Sequence, residues 1–354
     1  MNDVASGQPI TSRRVREIDA AQAGSIDPQA LVLAGEPVVV RGLARDWPLV
    51  AAGRDGAKAA ADYLLSFYNG RPGVGYTAPA EAGGRYFYDD SFYDGSATRL
   101  NFEAERVRLD DYIGGMLTRL GDRGAPSFYI GSTDLQGYFP GLAAAGNDFE
   151  LDGPAFDTVL RSIWIGTRTT ASAHHDMANN IACVAVGERR FTLFPPEQIA
   201  NLYPGPLEPT PGGQVVSMVD FRSPDLERFP DFAKAQQAAQ VAELGPGDAV
   251  IYPALWWHHV EALSDFNMMI NFWWNDAPAF MDSPMNTLLH GLLSLRDRSP
   301  HEKRAWAALF DYYVFGPAER PTAHLPDAAQ GPLARLDPMS ARQLRAKLLQ
   351  RINR

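Results

Sequence analysis

"TTASAHHDMANN", residues 169–180, sets two adjacent histidines and an aspartate into a run of otherwise small and polar residues. "LWWHHVEAL", residues 255–263, supplies a second histidine pair, beginning 82 residues after Asp176. Of the seven histidines in the chain, four sit in these two places. Neutral imidazole and carboxylate both ligate divalent metals, so the spacing is worth testing against metal chemistry. On an extended strand, side chains i and i+2 share a face. His174 and Asp176 are so related, and His175 points the other way.

The surroundings read as strands. "SFYIGS", "SIWIGT", "NIACVAVG", "RRFTLFPP", "DAVIYPALWWHHV" and "NMMINFWW" are short, rich in β-branched and aromatic residues, and bounded by Gly or Pro. So many strands at this spacing, between about 126 and 280, predict a sandwich or barrel rather than a parallel βαβ sheet. Residues 204–245 interrupt them with a Pro/Gly-rich insertion that includes a helix near "FAKAQQAAQ". Earlier, "EPVVVRGLARDWPLV" (36–50) carries a buried-strand run and "GAKAAADYLLSFYNG" (56–70) has helical composition. The first ~35 residues read as a leading segment of polar and helix-tolerant types. Clustered aromatics in "RYFYDDSFY" predict loops and short strands around a surface or cleft. Beyond 281, Trp306, Phe310, Tyr313 and Val314 fall near helical spacing. Leu344, Leu348 and Ile352 are spaced four apart behind Ser340, read as an N-cap. These stripes are expected to pack on the barrel or on a second copy of the chain. The resulting division is an N-terminal α/β segment (1–120), a β core (121–280) and a C-terminal helical region (281–354).

Bulk properties narrow the function classes without naming one. A 354-residue chain that is 45% hydrophobic and 21% charged suits a globular fold with a sizeable core. The absence of ~20 consecutive apolar residues argues against a membrane partner. The net charge of -10 argues against a nucleic-acid partner, which needs a basic face. One cysteine, Cys183, rules out an intramolecular disulfide and any CxxC metal site. "MNDVASGQPITSRRVREIDA" shows no basic n-region followed by an apolar core, so the expected location is the cytoplasm.

If one further inward-facing histidine joins His174 and Asp176, two histidines and one carboxylate occupy one face of a metal. That arrangement leaves coordination positions open, as in non-haem Fe(II) oxygenases. Alternation lets His258 or His259 serve, but not both. A lone HxD is weak, and a His-His pair after Trp-Trp is equally a half-buried aromatic cluster. The conjunction of HxD, a long gap and a histidine on an aromatic strand is what carries weight.

Taken in order, "AHHDMANN", "VGERRFTLFPPEQIANLYPGP", "ELGPGDAVIYPALWWHHVEAL" and "INFWW" resemble the Jumonji-C, cupin-like family of Fe(II)- and 2-oxoglutarate-dependent oxygenases. The likeness is greatest to the branch with the asparaginyl hydroxylase that restrains hypoxia-inducible factor. It runs from "EPVVVRGLARDWP" to "NFWW", about two thirds of the chain. The resemblance implies a mainly β fold, a double-stranded β-helix (jelly-roll) core with flanking helices. It also implies His174, Asp176 and His258 as iron ligands, with His259 a structural neighbour. Where the family has a lysine for the distal carboxylate of 2-oxoglutarate, this chain has Arg189, whose planar fork suits a bidentate contact. Arg190, on the opposite face, is the competitor.

Tyr129 matches a family tyrosine that reaches the same carboxylate, the alternative being a core tyrosine. Asn180 and Asn271 match asparagines near the metal-bound end of the co-substrate; an amide inside "MMINFWW" is costly unless hydrogen-bonded. A family threonine is Ala171 here, leaving Thr170, Ser172 or a water to substitute. Trp273 either lines the pocket mouth or packs in the core.

The chemistry implied by the resemblance uses Fe(II), 2-oxoglutarate as co-substrate and O2, and ends in hydroxylation. Retention of Asp176 argues against halogenation, for which related enzymes give up the carboxylate. The expected substrate is a protein or peptide side chain, with a small molecule as the alternative. A metal-dependent cupin isomerase would show more histidines, as in HxH with a further Glu and His. A non-catalytic binding module would have lost a ligand. Self-association as a homodimer through the C-terminal helices is expected.

Overall fold

The computed structural model describes residues 13–353 apart from Gly24 and Asp152. Residues 1–12, on which part of the export-signal reading rests, lie outside the described residues. Two compact units divide after Asn275.

In the first unit the described strands are, in chain order, β1 (Arg13–Arg14), β2 (Arg16–Asp19), β3 (Val38–Arg41), β4 (Gly73–Ala78) and β5 (Arg85–Tyr86). They continue with β6 (Glu103–Val107), β7 (Ser127–Asp134), β8 (Leu160–Gly166), β9 (Thr170–His175) and β10 (Asn179–Val186). Last come β11 (Arg189–Phe194), β12 (Gln240–Leu244), β13 (Ala249–Tyr252), β14 (Trp257–Ala262) and β15 (Asn267–Trp274). They form one sheet in the order β1-β12-β11-β14-β9-β5 and a larger one in the order β2-β3-β13-β10-β15-β8-β7-β4-β6. The two mixed sheets and their flanking helices make a jelly-roll core, the cupin-like architecture.

Burial explains the strand sequences. β10, "NNIACVAV", is apolar in both registers because both of its faces are covered. Ile181, Cys183 and Ala185 pack outward with Ile270 and Phe272 against Leu49, Ala60, Leu64, Ile113 and Met116, which belong to the helices Pro48–Arg54, Ala57–Leu65 and Leu109–Leu117. Ala182 and Val184 face inward, against Phe191 and Leu193 of the smaller sheet. Each of the Ile, Leu, Val, Met and Phe side chains among them, fully buried, contributes ~1.5–3 kcal/mol. The leading segment departs from its sequence reading. "REID" has no β-branched alternation, yet it runs parallel to β3, pairing Arg16 with Val38 and Ile18 with Val40. Its extended form comes from that edge and not from its own composition. Strands β2 to β6, from the first 120 residues, belong to these sheets.

The second unit, residues 276–354, contains helices Pro284–Ser294, Pro300–Phe310 and Pro338–Ile352, with a π-turn over Asp311–Phe315. The last helix corrects the sequence reading of Ser340. The N-cap is Asp337, whose side chain accepts from Ser340 N, while the Ser340 hydroxyl accepts in return from Asp337 N. Ser340 is thus the third helical residue of a capping box. Only Pro321 and Ala341 are buried among the described residues of this unit. Leu293 is 78% exposed and Phe315 77%. No helix of the described residues is long and apolar enough to cross a membrane.

Candidate metal centre

The two histidine pairs meet on neighbouring strands. β14 pairs antiparallel with β9, with His258 opposite His174 and Trp257 opposite His175. Asp176 follows β9 by one residue, and its carbonyl accepts from Leu255 N at 2.8 Å, tying it to the turn before β14. One ligand atom each from His174, Asp176 and His258 lies within 4.8 Å of the other two. His258 Nε2 is 3.6 Å from Asp176 Oδ2, and the two imidazole centroids are 4.2 Å apart.

Backbone carbonyls set the tautomers. His174 Nδ1 lies 2.8 Å from Ser172 O and His258 Nδ1 3.1 Å from Trp256 O. A carbonyl only accepts, so both Nδ1 atoms donate and both Nε2 lone pairs are left for a metal. Burial, reinforced by the nearby His174, pulls His258 down to about 4, so it is neutral at physiological pH. Two imidazole Nε2 atoms with a carboxylate and open positions fit a divalent ion of the iron type.

The paired histidines divide by face. His259 sits outside the cavity, stacked on Phe221 with centroids 4.5 Å apart, and neither ring nitrogen has a hydrogen-bond partner among the described residues. His175 packs edge-on to Trp257.

A cavity of about 290 Å³ runs from the triad to Arg189, and its lining includes Tyr129, Asn180, Asn271 and Trp273. The structure therefore gathers every expected site residue around one space. Arg189 is 2% exposed, and its Nε and Nη2 have no partner among the described residues. Burial lowers the pKa of its guanidinium, while the neighbouring Tyr129 works against that. Burial pushes Tyr129 up to about 12, so its hydroxyl is a protonated donor beside Arg189. A buried guanidinium with two idle donors is costly unless an anion meets it, and that edge suits a bidentate carboxylate. Arg190 projects the other way, to Glu243 at 2.8 Å and Glu261 at 3.6 Å. The glycine turn before β11 aims the pair. Gly187 has φ +77°, and a Cβ there would meet Asn267 Oδ1 at 2.5 Å.

A bulge decides what replaces the family threonine. The register shifts between His258 and Val260, so that Val260 pairs with Ala171, and both line the cavity. Thr170 accepts from Arg222 and Ser172 from Arg85, and neither lines the cavity around the triad. Among the lining residues that carry a polar group, sequence reasoning passed over Tyr252, Trp164, Ser132 and Gln214. For Tyr252 and Trp164 the only available signal was a polar or indole group inside an apolar strand. A second cleft of about 160 Å³ shares Tyr129, Trp164 and His174 with the cavity, and Tyr76, Tyr86 and Phe102 extend it.

Fold and site together define a jelly-roll protein with a two-histidine, one-carboxylate centre. A family model described as "Cupin-like domain" matches residues 24–280, and the chain belongs to that family. Jumonji-type members of this family are typically Fe(II)- and 2-oxoglutarate-dependent oxygenases or demethylases. The chain is 32% identical over 150 residues to "HSPB1-associated protein 1" of Rattus norvegicus, covering 41% of this chain and 30% of that protein. It is 25% identical over 248 residues to "Lysine-specific demethylase 8" of Danio rerio, covering 68% of this chain and 53% of that one. It is also 31% identical over 148 residues to "tRNA wybutosine-synthesizing protein 5" of Danio rerio, covering 41% and 42% respectively. In each case the match spans about half or less of the relative's own length.

Proposed function

We propose that this chain is an Fe(II)- and 2-oxoglutarate-dependent dioxygenase that hydroxylates an amino-acid side chain in a protein or peptide. The observation that carries the reading is one cavity with two unlike ends. At one end are His174, Asp176 and His258; at the other is Arg189, buried with two donors unmet. A 2-oxo dicarboxylate satisfies both ends, its keto acid at the metal and its far carboxylate on Arg189 and Tyr129. Fe(II) held by His174, Asp176 and His258 would supply the redox chemistry for oxidative decarboxylation of 2-oxoglutarate by O2 to succinate and CO2, with the second oxygen atom going to a substrate C–H bond. His174 and His258 present Nε2 from fixed tautomers, and Asp176 supplies the anionic ligand. The apolar walls, Phe191, Val260 and Met269, keep water from the centre.

The protein or peptide substrate rests on the motif resemblance to the asparaginyl hydroxylase branch, which the matched relatives support as far as the Jumonji-C superfamily, and on the aromatic cleft that opens onto His174. One relative is named for lysine demethylation and another for tRNA wybutosine synthesis. The net charge of -10 favours the protein side of that choice. Anaerobic Fe(II) titration tests the reading. A weak visible charge-transfer band is expected only when 2-oxoglutarate is added, and Asp176→Ala should lose it. Turnover against peptides and cell extracts, with mass spectrometry searching for one added oxygen atom, then identifies the substrate. A band-free wild type, or a product only on small molecules, would overturn the corresponding part.

The chain is further proposed to pair with a second copy through its C-terminal helices, on the ground that this unit buries little of its own apolar surface. Leu293→Glu with Phe315→Glu should halve the mass seen by light scattering, and an unchanged mass would reject the pairing.

A further inference from the structure

A one-way hydrogen-bond chain runs through the cavity wall, serving neither the histidine tautomers nor the Arg189 cradle. Trp164 Nε1 donates to Asn271 Oδ1 at 2.6 Å, Asn271 Nδ2 donates to Asn180 Oδ1 at 3.3 Å, and Asn180 Nδ2 donates to Tyr252 Oη at 2.6 Å. An indole N–H can only donate, so Trp164 orients the first amide and, through it, the second. The chain crosses four adjacent strands of the larger sheet, β8, β15, β10 and β13. Each amide nitrogen keeps a second hydrogen, so the role expected of Asn180 and Asn271 toward a co-substrate is not displaced.

The chain ends on a hydroxyl that has accepted and still has its own proton to give. Tyr252 is 2% exposed, and its ring lies 4.9 Å from that of His258. Among the described residues no protein acceptor meets that proton. Asp176 is the one carboxylate among the residues lining the cavity. Buried donors and acceptors are rarely left unpaired, and a phenol beside a carboxylate makes the strong, charge-assisted kind of bond.

We propose that Tyr252 is a positioning residue of the metal centre: its hydroxyl donates to the Asp176 carboxylate, and the Trp164–Asn271–Asn180 chain keeps it pointed there. The inference rests on the triad being the metal site. Its physical content is that an outer hydrogen bond fixes which carboxylate oxygen faces the metal, and so holds the remaining coordination positions open.

The test uses the whole protein, stripped of metal and titrated with Co(II) alone, so that no turnover enters the readout. Tyr252→Phe keeps the ring against His258 and removes only the hydroxyl. It should weaken Co(II) binding about ten-fold, the lower end of what loss of an outer-shell partner costs. It should also alter the visible Co(II) bands, in addition to the modest drop in melting temperature of the metal-free protein that comes from leaving Asn180 Nδ2 without its acceptor. Trp164→Phe, which leaves Tyr252 itself intact, should weaken Co(II) binding in the same direction by a smaller factor. With the indole gone the two amides can reverse, and Asn180 Oδ1 then competes for the phenol proton. Unchanged Co(II) affinity and bands in both variants would overturn the inference. So would a loss of metal-free stability with affinity retained, which is the signature of mere packing. A wild type that binds no Co(II) would bring down the triad reading itself, a distinguishable failure.

Discussion

On the proposed reading, replacing His174 or His258 with alanine should remove divalent-metal binding and with it all 2-oxoglutarate turnover. Each variant deletes one of only three protein ligands. The loss should therefore exceed the ~10–100-fold that removal of an outer-shell partner costs. Calorimetric titration with Fe(II) or Co(II) measures it, and retained turnover would reject the assignment. His259→Ala is the internal control. That imidazole stacks on Phe221 outside the cavity, and burial, aided by the positive charges of Arg85 and Arg222, pulls it down to about 3. Metal affinity should stay within about two-fold while the variant loses stability through a packing defect. Loss of metal in His259→Ala alone would mean that the wrong member of the pair faces the centre.

Arg189→Ala should raise the 2-oxoglutarate KM about 100-fold, with Arg190→Ala within about two-fold of wild type. Two charge-assisted hydrogen bonds to a carboxylate are together worth about 3 kcal/mol in a buried site, and each 1.4 kcal/mol is a factor of ten. Arg190 is 40% exposed at its side chain and held by Glu243 and Glu261, so its loss should remove only a surface ion pair. Steady-state decarboxylation at varied 2-oxoglutarate separates the two, and the reverse order would exchange their roles. Arg189→Lys should fall between, since an ammonium cannot offer the paired donors of the guanidinium edge.

Much of this centre was legible because strand periodicity is strict. HxD reads as two groups on one face wherever the backbone is extended, and "WWHH" admits one inward histidine. Residue periodicity could not choose between His258 and His259, because that depends on which face of β14 meets the cavity, a tertiary fact. The likeness to Jumonji-C proteins supplied the choice. The bulge opposite His259 was invisible, since nothing in "TASAH" marks an extra residue, yet it turns Ala171 inward and gives Thr170 and Ser172 to arginines. Tyr252 was also missed. In "DAVIYP" it reads as one more strand aromatic, and only the neighbouring strand shows its hydroxyl facing Asn180. In the last helix the pattern predicted the element but put its cap three residues late. Asp337 and Ser340 are both good capping residues, and backbone geometry selects the first.

The pairing of His174 with His258 reaches beyond catalysis. A metal held there would clasp β9 to β14 and close the chain between Asp176 and His258, a loop of 83 residues. An ion that binds the folded form alone adds its binding free energy to the fold, in an amount that rises with the logarithm of its free concentration. With a metal so held, the midpoint of heat denaturation of this barrel should track metal supply, and a chelator should lower it.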